Sequence, residues 1–534
     1  MVRLQRSVPK IVPFVLIAAA AAQQPAAPKF LDGDPLATVP EVVSAANTRL
    51  VGVDDLYDFV VQSAHFKADP TTPSFAINTM GGVPNSSWFT NRHATTRLSL
   101  DELKKGARAH GAPVGPYQVI AAKTQGVTPG FRIRDSRGSV YFVKVDPISN
   151  PEMATASDVI GALFFYAAGY NVAENYIVEA KRSDLTIDPK ASFSDEYGRK
   201  HRLTQEDLRK ILSRVPSGKN GEIRMMASLL LEGKILGPFR YTGVRSDDPN
   251  DLVPHEQRRD LRGLAVICAW LNHTDTKADN TMDTLIGKGE EARVLHHLID
   301  YGALFGSDSD IAKDPRHGQE FFAPTSKKQA SKMLTLGLKP EPWETVKYRH
   351  DLPATGNFTS VAFVPATWKP NYPNPAFLRM NLEDAYWGAR IVASFSDADI
   401  HAIVEEGKFS NPAAADYIAQ TLVERRNLIA KYWFSQVLPL DHPQIVDGKL
   451  TLENSGEKFG VAVGPLTYEW SEYDNAHNKT GATAGSTATL PSALANGSSE
   501  YIRCVVRDAQ RKQSIAVYFK HEDGSWKAVG LDRL

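Results

Sequence analysis

The chain has 534 residues, 42% hydrophobic and 23% charged, a globular balance that excludes a largely disordered chain and a polytopic membrane protein. Lys plus Arg number 61 and Asp plus Glu number 61, so no excess of positive charge argues for nucleic acid as the main partner. Two cysteines, Cys268 and Cys504, exclude a disulfide scaffold and an all-Cys zinc site, and at roughly 150 residues per domain the length allows about three or four domains.

Arg3, Arg6 and Lys10 precede an apolar run over residues 11–22, followed by small residues suited to cleavage near Ala22. This is the pattern of a secretory signal peptide, assigned to residues 1–23. The run is shorter than the roughly 20 residues a membrane span requires, and Pro13 weakens its helix further. An uncleaved N-terminal anchor is the alternative; in either case the body is expected to be exported, to a periplasmic or extracellular site. No other apolar run is long enough to span a membrane.

A Pro/Ala-rich linker at 24–35 opens an extension that reaches residue 116. It carries helical signals in EVVSAANTRL and LDELKKGARAHG. Between them, in VPNSSWFTNRH (83–93), Trp88 and Phe89 are expected to dock the extension onto a neighbouring domain, with Asn91 and Arg92 in a packed polar loop. From residue 117 the texture is β: YQVIAAKTQ, GFRIRDSRG and SVYFVKVD read as three successive strands, and Asp135-Ser136-Arg137-Gly138 as the hairpin turn between the last two. A helix is expected from about Pro151 to Ala168, then a fourth strand in NYIVEAKR. Residues 189–222 read as an insertion with a short helix opened by Thr204, whose partner Asp207 stands three residues on. IRMMASLLLEG is the fifth strand.

From about Glu256 the chain turns helical. Leu261, Leu264, Ala265, Cys268 and Leu271 fall on one buried helix face, which makes Cys268 a core residue. Residues 306–375 are Pro-rich and irregular, and 381–435 return to helices. After residue 438 short strands follow one another, interrupted by a Gly/Ser/Thr/Ala-rich loop at 479–499. They predict a small antiparallel β domain of sandwich type over 438–534. The charged run Arg245–Asp251 with Arg258, Arg259 and Arg262 reads as a solvated ion-pair network. Its functional alternative is a basic helix edge that receives an anion or positions a loop.

The chemistry concentrates in LNHTDTKADNTMDTLIGKGEEARVLHHLIDYGALFG, residues 271–306. His273, Asp275, Lys277 and Asn280 form a polar run directly after an apolar helix. Asp300 ends the apolar strand VLHHLI and precedes Tyr301 and Gly302. Polar groups ending buried elements are costly unless used. His296 and His297, adjacent on a strand, point to opposite faces and read as structural.

His-x-Asp-x-Lys-x-x-Asn, then a hairpin, then Asp-aromatic-Gly resembles the catalytic and metal-binding loops of the protein-kinase-like superfamily. It stands closer to atypical bacterial branches, such as spore-coat and toxin-type kinases, than to eukaryotic-type enzymes. The order along the chain agrees, with five strands and a helix after the third, then a helical region. The resemblance implies an α+β, two-lobed kinase-like fold, its antiparallel β N-lobe at 117–238 and its helical C-lobe at 239–437.

It also implies residue roles. Lys144, on the third strand, would contact the α/β-phosphates of ATP, and Glu152, opening the next helix, would orient it. Asp300 would hold Mg²⁺ or Mn²⁺, with Asn280 as a further metal ligand. Asp275 would accept or orient the acceptor hydroxyl, Lys277 would sit near the transferred phosphate, and His273 would prop the loop. Gly126 and Gly130, in Lys123-Thr-Gln-Gly-Val-Thr-Pro-Gly, are the candidates for a phosphate-cradling loop. The sequence departs from the family pattern in having no full Gly-rich loop, Thr274 where an arginine is usual, and Tyr301 where a Phe is usual.

The leading function is therefore an exported phosphotransferase acting from ATP and Mg²⁺ on a protein, lipid or sugar hydroxyl. A catalytically silent kinase-like binding module is the second reading. A metal-dependent hydrolase built on His273, Asp275, Asp279, His297 and Asp300 is the third.

Overall fold

A computed structural model describes residues 27–54, 58, 60, 61, 68–123, 130–195, 199–218, 220–322 and 340–534. The expected signal segment and Gly126 lie outside the described residues. The chain is α+β, a sheet-based lobe followed by a largely helical one, with an N-terminal extension before them and a small all-β domain after them.

The extension contributes the short helix α1 (Leu100–Lys105), capped reciprocally by Ser99 and Glu102. EVVSAANTRL forms no helix. Its backbone amides bond outward instead, Ala45 to the Ala292 carbonyl and, just beyond it, Val51 to that of Leu236. A helix would satisfy those amides internally, so tertiary hydrogen bonding overrides local propensity here. Trp88 and Phe89 are buried in the main core, and Trp88 stacks on His296 with ring centroids 3.6 Å apart. Asn91 donates to the Val83 carbonyl and Arg92 to those of Tyr166 and Tyr170. Both are structural.

The first lobe begins with β1 (Tyr117–Lys123), β2 (Gly130–Arg134), β3 (Val140–Val145) and helix α2 (Met153–Ala168). It continues through β4 (Asn171–Val172), β5 (Asn175–Lys181), β6 (Leu185–Ser194), β7 (Lys200–Arg202), α3 (Gln205–Leu212) and β8 (Glu222–Leu229). The sheet order is β5-β8-β3-β2-β1-β6-β7. Without the insertion strands β6 and β7, this is the five-stranded arrangement read from the sequence, with α2 after the third strand. One sheet face, including Val119, Ile133, Tyr141, Val143 and Met225, packs on Leu208 and Leu212 of α3. On the other, Ile177 and Met226 join the core around α2, while Phe142 stands 46% exposed beside Lys144 on the same face.

The second lobe contains β9 (Lys234–Gly237), α4 (Arg259–Leu271), β10 (Thr281–Ile286) and β11 (Arg293–Leu298). Among the described residues, helices α5 (Pro375–Leu378), α6 (Leu382–Ser394), α7 (Asp397–Glu405) and α8 (Pro412–Ser435) follow. Every residue of α4 is buried, so it is the post around which the lobe packs and from which the polar loop springs. Strands β4, β11, β10 and β9 form a four-stranded sheet beside it.

The arginine cluster is buried, not solvated. Arg259 and Arg262 converge on Asp384 (2.9 and 3.3 Å), Arg258 pairs with Asp260 (2.7 Å), and Arg245 with Asp283 (3.0 Å). Each guanidinium has a carboxylate partner inside the fold, which is the condition for burying it.

The C-terminal strands are β12 (Leu440–Val446), β13 (Lys449–Asn454), β14 (Leu466–Asp474) and β15 (Lys479–Gly485), then, past a short helix α9 (Ser492–Ala495), β16 (Tyr501–Asp508), β17 (Gln513–Glu522) and β18 (Ser525–Arg533). One antiparallel sheet runs β15-β14-β16-β17-β18. The second layer is the β12–β13 hairpin, not a full second sheet. The expected loop at 479–499 begins as an edge strand, which its small, Thr-rich composition conceals. Phe30 of the extension packs among Tyr473, Tyr501 and Tyr518 on the opposite face. Asp441 accepts bonds from Tyr386, Arg390, Ser455 and Arg533. Burial alone would raise its carboxyl, but Arg390 and Arg533 hold it down at about 2. This carboxylate ties the β domain to α6.

Candidate active site

Three elements meet where β3, α2 and the end of β11 converge. Lys144, on β3, points its ammonium between two acids, 2.5 Å from Asp300 and 3.2 Å from Asp158. Asp158 is on α2 and 1% exposed; its other oxygen accepts the Tyr301 amide at 2.8 Å. The acid on the helix that meets Lys144 is thus Asp158. Glu152 stands at the N-cap of α2 in a left-handed backbone conformation, and its carboxylate accepts the Ser410 amide at 2.9 Å. The helix start is capped by Asp146, which takes the Thr155 amide and hydroxyl. Being at the opening turn, Glu152 lies toward the second lobe's surface, whereas Asp158 faces the sheet.

Burial disfavours the Lys144 ammonium, but the charges of Asp158 and Asp300 outweigh that and raise its pKa above the ordinary lysine value. Asp158 is raised, first by burial and further by the Asp300 charge, against the opposing pull of Lys144. Two carboxylates therefore share one ammonium. Asp300 itself sits at φ 62°, a backbone state that non-glycine residues adopt at a cost and that clusters at functional sites. Tyr301 packs beneath α2, its ring stacked on Phe165 at 5.1 Å, and its hydroxyl bonds to the Leu298 carbonyl. At Gly302 a Cβ would stand 3.0 Å from an Asp158 carboxylate oxygen and 2.9 Å from Ser309 Oγ, so glycine is what lets this backbone approach.

The polar loop enters from the second lobe. Helix α4 ends at Asn272 in the left-handed region. Asn280 Nδ2 donates to the Asp275 carbonyl (2.6 Å) and carboxylate (2.9 Å). A carbonyl only accepts, so this bond fixes the amide and turns Asn280 Oδ1 away from Asp275. Pairing of Thr281 with Leu298 opens the β10–β11 hairpin, and the Ile299 amide bonds the Asn280 carbonyl at 3.0 Å. That register carries Asp300 back to Asn280 although it stands twenty positions further along the chain. Lys277 Nζ lies 4.0 Å from Asp275. Burial raises the Asp275 carboxyl and Asp300 adds to it, against the charge of Lys277 and the Asn280 bond.

His273 is buried against Phe165 and Tyr301. Burial pushes its pKa down to about 3, aided by Lys313, so it is a neutral prop. His296 bonds Asp283 (2.7 Å) and His297 bonds Thr284 (3.1 Å). The histidines of the hydrolase reading are thus engaged separately, and among the described residues no group of three His, Cys, Asp or Glu side chains could hold a metal.

Gly130 pairs with Lys144 across β2–β3, and a Cβ there would meet the Val143 carbonyl at 2.8 Å. The loop preceding it lies outside the described residues. Asn280 and Asp300 offer hard oxygen donors, the set that suits Mg²⁺ or Mn²⁺ and leaves room for ligand oxygens. The family pattern points to neither Asp158 nor Lys313. A lone acid inside the otherwise apolar ASDVIGALFFYAA was the available signal for the first, because such an acid requires a buried cation.

No family model matches this sequence, and no curated protein matches it. Among solved structures the chain is similar to a crystal structure of the Golgi casein kinase with Mn/ADP bound, at 8% identity and a TM-score of 0.27, covering 61% of this chain and 74% of that one. It is also similar to another crystal structure of the Golgi casein kinase, at 9% identity and a TM-score of 0.28, covering 74% and 95%. Among the described residues, no helix is long and apolar enough to cross a membrane.

Proposed function

We propose that this chain is a kinase-like phosphotransferase of an atypical branch, using ATP with Mg²⁺ or Mn²⁺ and a hydroxyl acceptor of protein, lipid or sugar. The supporting observation is the Lys144–Asp158–Asp300 cluster facing the Asp275–Asn280 loop. The N-terminal leader pattern extends the proposal to an exported protein, periplasmic or extracellular, cleaved or N-terminally anchored.

Lys144, held by Asp158, presents a fixed positive charge to the phosphates. Asn280 Oδ1 and the Asp300 carboxylate would hold the metal, which supplies the positive charge that neutralises the phosphate oxygens. Asp275, its carboxyl raised by burial, is placed to take the acceptor's proton. The acceptor oxygen then bonds to the terminal phosphorus, the bond from that phosphorus to the β–γ bridging oxygen breaks, and its electron pair leaves on ADP. Lys277, beside Asp275, would contact the phosphate in transfer. Gly130 and Gly126 are proposed to flank the phosphates.

The test is a thermal-shift titration with ATP, with and without Mg²⁺ or Mn²⁺. Ligand at 100 times its Kd stabilises the native state by about 2.7 kcal/mol, so a metal-dependent rise in Tm is expected. No rise at millimolar nucleotide would sink the proposal and favour the silent binding module. In the same titration Phe142→Ala is expected to weaken nucleotide binding. Its exposed ring shares the Lys144 face, and stacking of a base on an aromatic ring is worth about 1–3 kcal/mol. Unchanged affinity would remove Phe142 from the base site.

A further inference from the structure

Lys313 is 1% exposed, in a stretch with no helix or strand of its own. An ammonium has three N–H groups, and three neutral oxygens take them: the Ala303 carbonyl (2.7 Å), the Asn272 carbonyl (2.9 Å) and Thr274 Oγ1 (3.1 Å). Two of these acceptors lie on the loop that leads into Asp275. The third stands three residues past Asp300. The same two segments are stitched by the Phe305 amide to the Leu271 carbonyl (2.8 Å) and by Asn272 Nδ2 to the Phe305 carbonyl (3.0 Å).

A second buried cation, Arg425 of α8, donates to the Ala269 and Trp270 carbonyls. The end of α4, where the helix dipole favours positive charge, is thus closed by two cations from distant parts of the chain. A charge buried without a carboxylate in bonding range is expensive, and packing alone does not require one. We propose that Lys313 is a positioning residue, fixing the Asp275 loop against the Asp300 segment so that the base and the metal-holding acid keep one relative geometry. Burial pushes the Lys313 ammonium down to about 8, even with Asp308 and Asp275 opposing the shift. The ammonium is therefore held by its three bonds and not by a strong ion pair.

The proposal rests on the phosphotransferase reading for its catalytic consequence, but its structural half can be measured without nucleotide. Lys313→Met removes the ammonium at similar volume, and Thr274→Val removes one acceptor without changing charge. In the ligand-free chain, amide hydrogen exchange over 272–280 and 300–306 is expected to quicken about tenfold in Lys313→Met and less in Thr274→Val. Exchange in α8 and in the C-terminal sheet should stay as in the wild type. With Mn²⁺, ADP affinity is expected to stay within about twofold. Phosphate release from ATP, with water standing in as acceptor, should fall about tenfold or more, because misplacement acts on turnover and not on binding.

Unchanged exchange in those two segments, or wild-type turnover in both variants, overturns the proposal. So does quickened exchange spread evenly over the chain, which would assign Lys313 a general packing role. If Lys313→Met does not fold, Thr274→Val decides. If the wild type binds no Mn²⁺-ADP, the phosphotransferase reading falls while the exchange measurement still judges Lys313.

Discussion

Asp300→Ala is expected to abolish the metal-dependent stabilisation by ATP while leaving the ligand-free chain folded. In the wild type the Asp158 and Asp300 carboxylates both contact the Lys144 ammonium. Removing Asp300 leaves Lys144 paired with Asp158 and removes one charge that, added to burial, pushes Asp158 up. The ligand-free protein therefore loses a partly exposed ion pair, worth about 1 kcal/mol or less, and gains relief of like-charge repulsion. Binding has no such compensation, because Asp300 is the only carboxylate proposed to hold the metal. The titration should lose the roughly 2.7 kcal/mol that ligand at 100 times Kd provides. An Asp300→Ala chain that still shifts with Mg²⁺-ATP or Mn²⁺-ATP as the wild type does would refute the assignment, while far-ultraviolet circular dichroism checks that the fold persists.

The parts of this cluster that the sequence exposed share a physical property. Asp275 and Asn280 stand in the polar run between an apolar helix and the strand β10, and Asp300 follows β11, so local periodicity locates them. Lys144 interrupts the alternation of β3, whose other face is Tyr141, Val143 and Val145. Asp158 breaks the pattern of α2 as plainly, whereas Glu152 only opens the helix. The helix turns past Glu152 before it reaches the sheet, and only the packing of α2 on β3 shows which turn faces the lysine. Lys313 had no periodic context, since the described residues 306–322 and 340–374 form neither strand nor α-helix. Its three acceptor oxygens come from Ala303, Thr274 and Asn272, which stand 10, 39 and 41 positions away.

The arginine cluster failed as a surface prediction for a related reason. Asp283 and Asp384, the acids that bury Arg245, Arg259 and Arg262, lie on other elements, so the run looked solvated when read alone. The fold order was legible because the strand–helix sequence is local. The closures by EVVSAANTRL and by β15 were not, since both depend on backbone hydrogen bonds to partners that the sequence does not name.

Lys144→Met is expected to lower stability as well as binding, and the loss should depend on pH. Breaking a buried pair by removing one partner leaves an uncompensated charge and costs about 3 kcal/mol or more. Here the stranded group is Asp158, 1% exposed and already raised to about 6 from its ordinary 3.8 by burial and by Asp300, with Lys144 opposing. A carboxyl raised in the folded state keeps a proton that the unfolded chain has released. Its stabilising contribution is complete below the unfolded value, about 4, and is lost as pH rises through the folded value. Without Lys144 the folded value climbs further, so the window of loss extends upward from about 6.

Lys144 itself does not confuse this range. Its folded pKa is raised, so its contribution persists at all pH below the ordinary lysine value and fades only in strong alkali. The deficit of Lys144→Met against the wild type should therefore be small near pH 4.5, where Asp158 is protonated in both, and largest at pH 8. Urea unfolding of the two ligand-free chains at those pH values measures it. Equal deficits at both would mean that Asp158 is not the group left stranded, and that Lys144 contributes by packing its stem against the sheet.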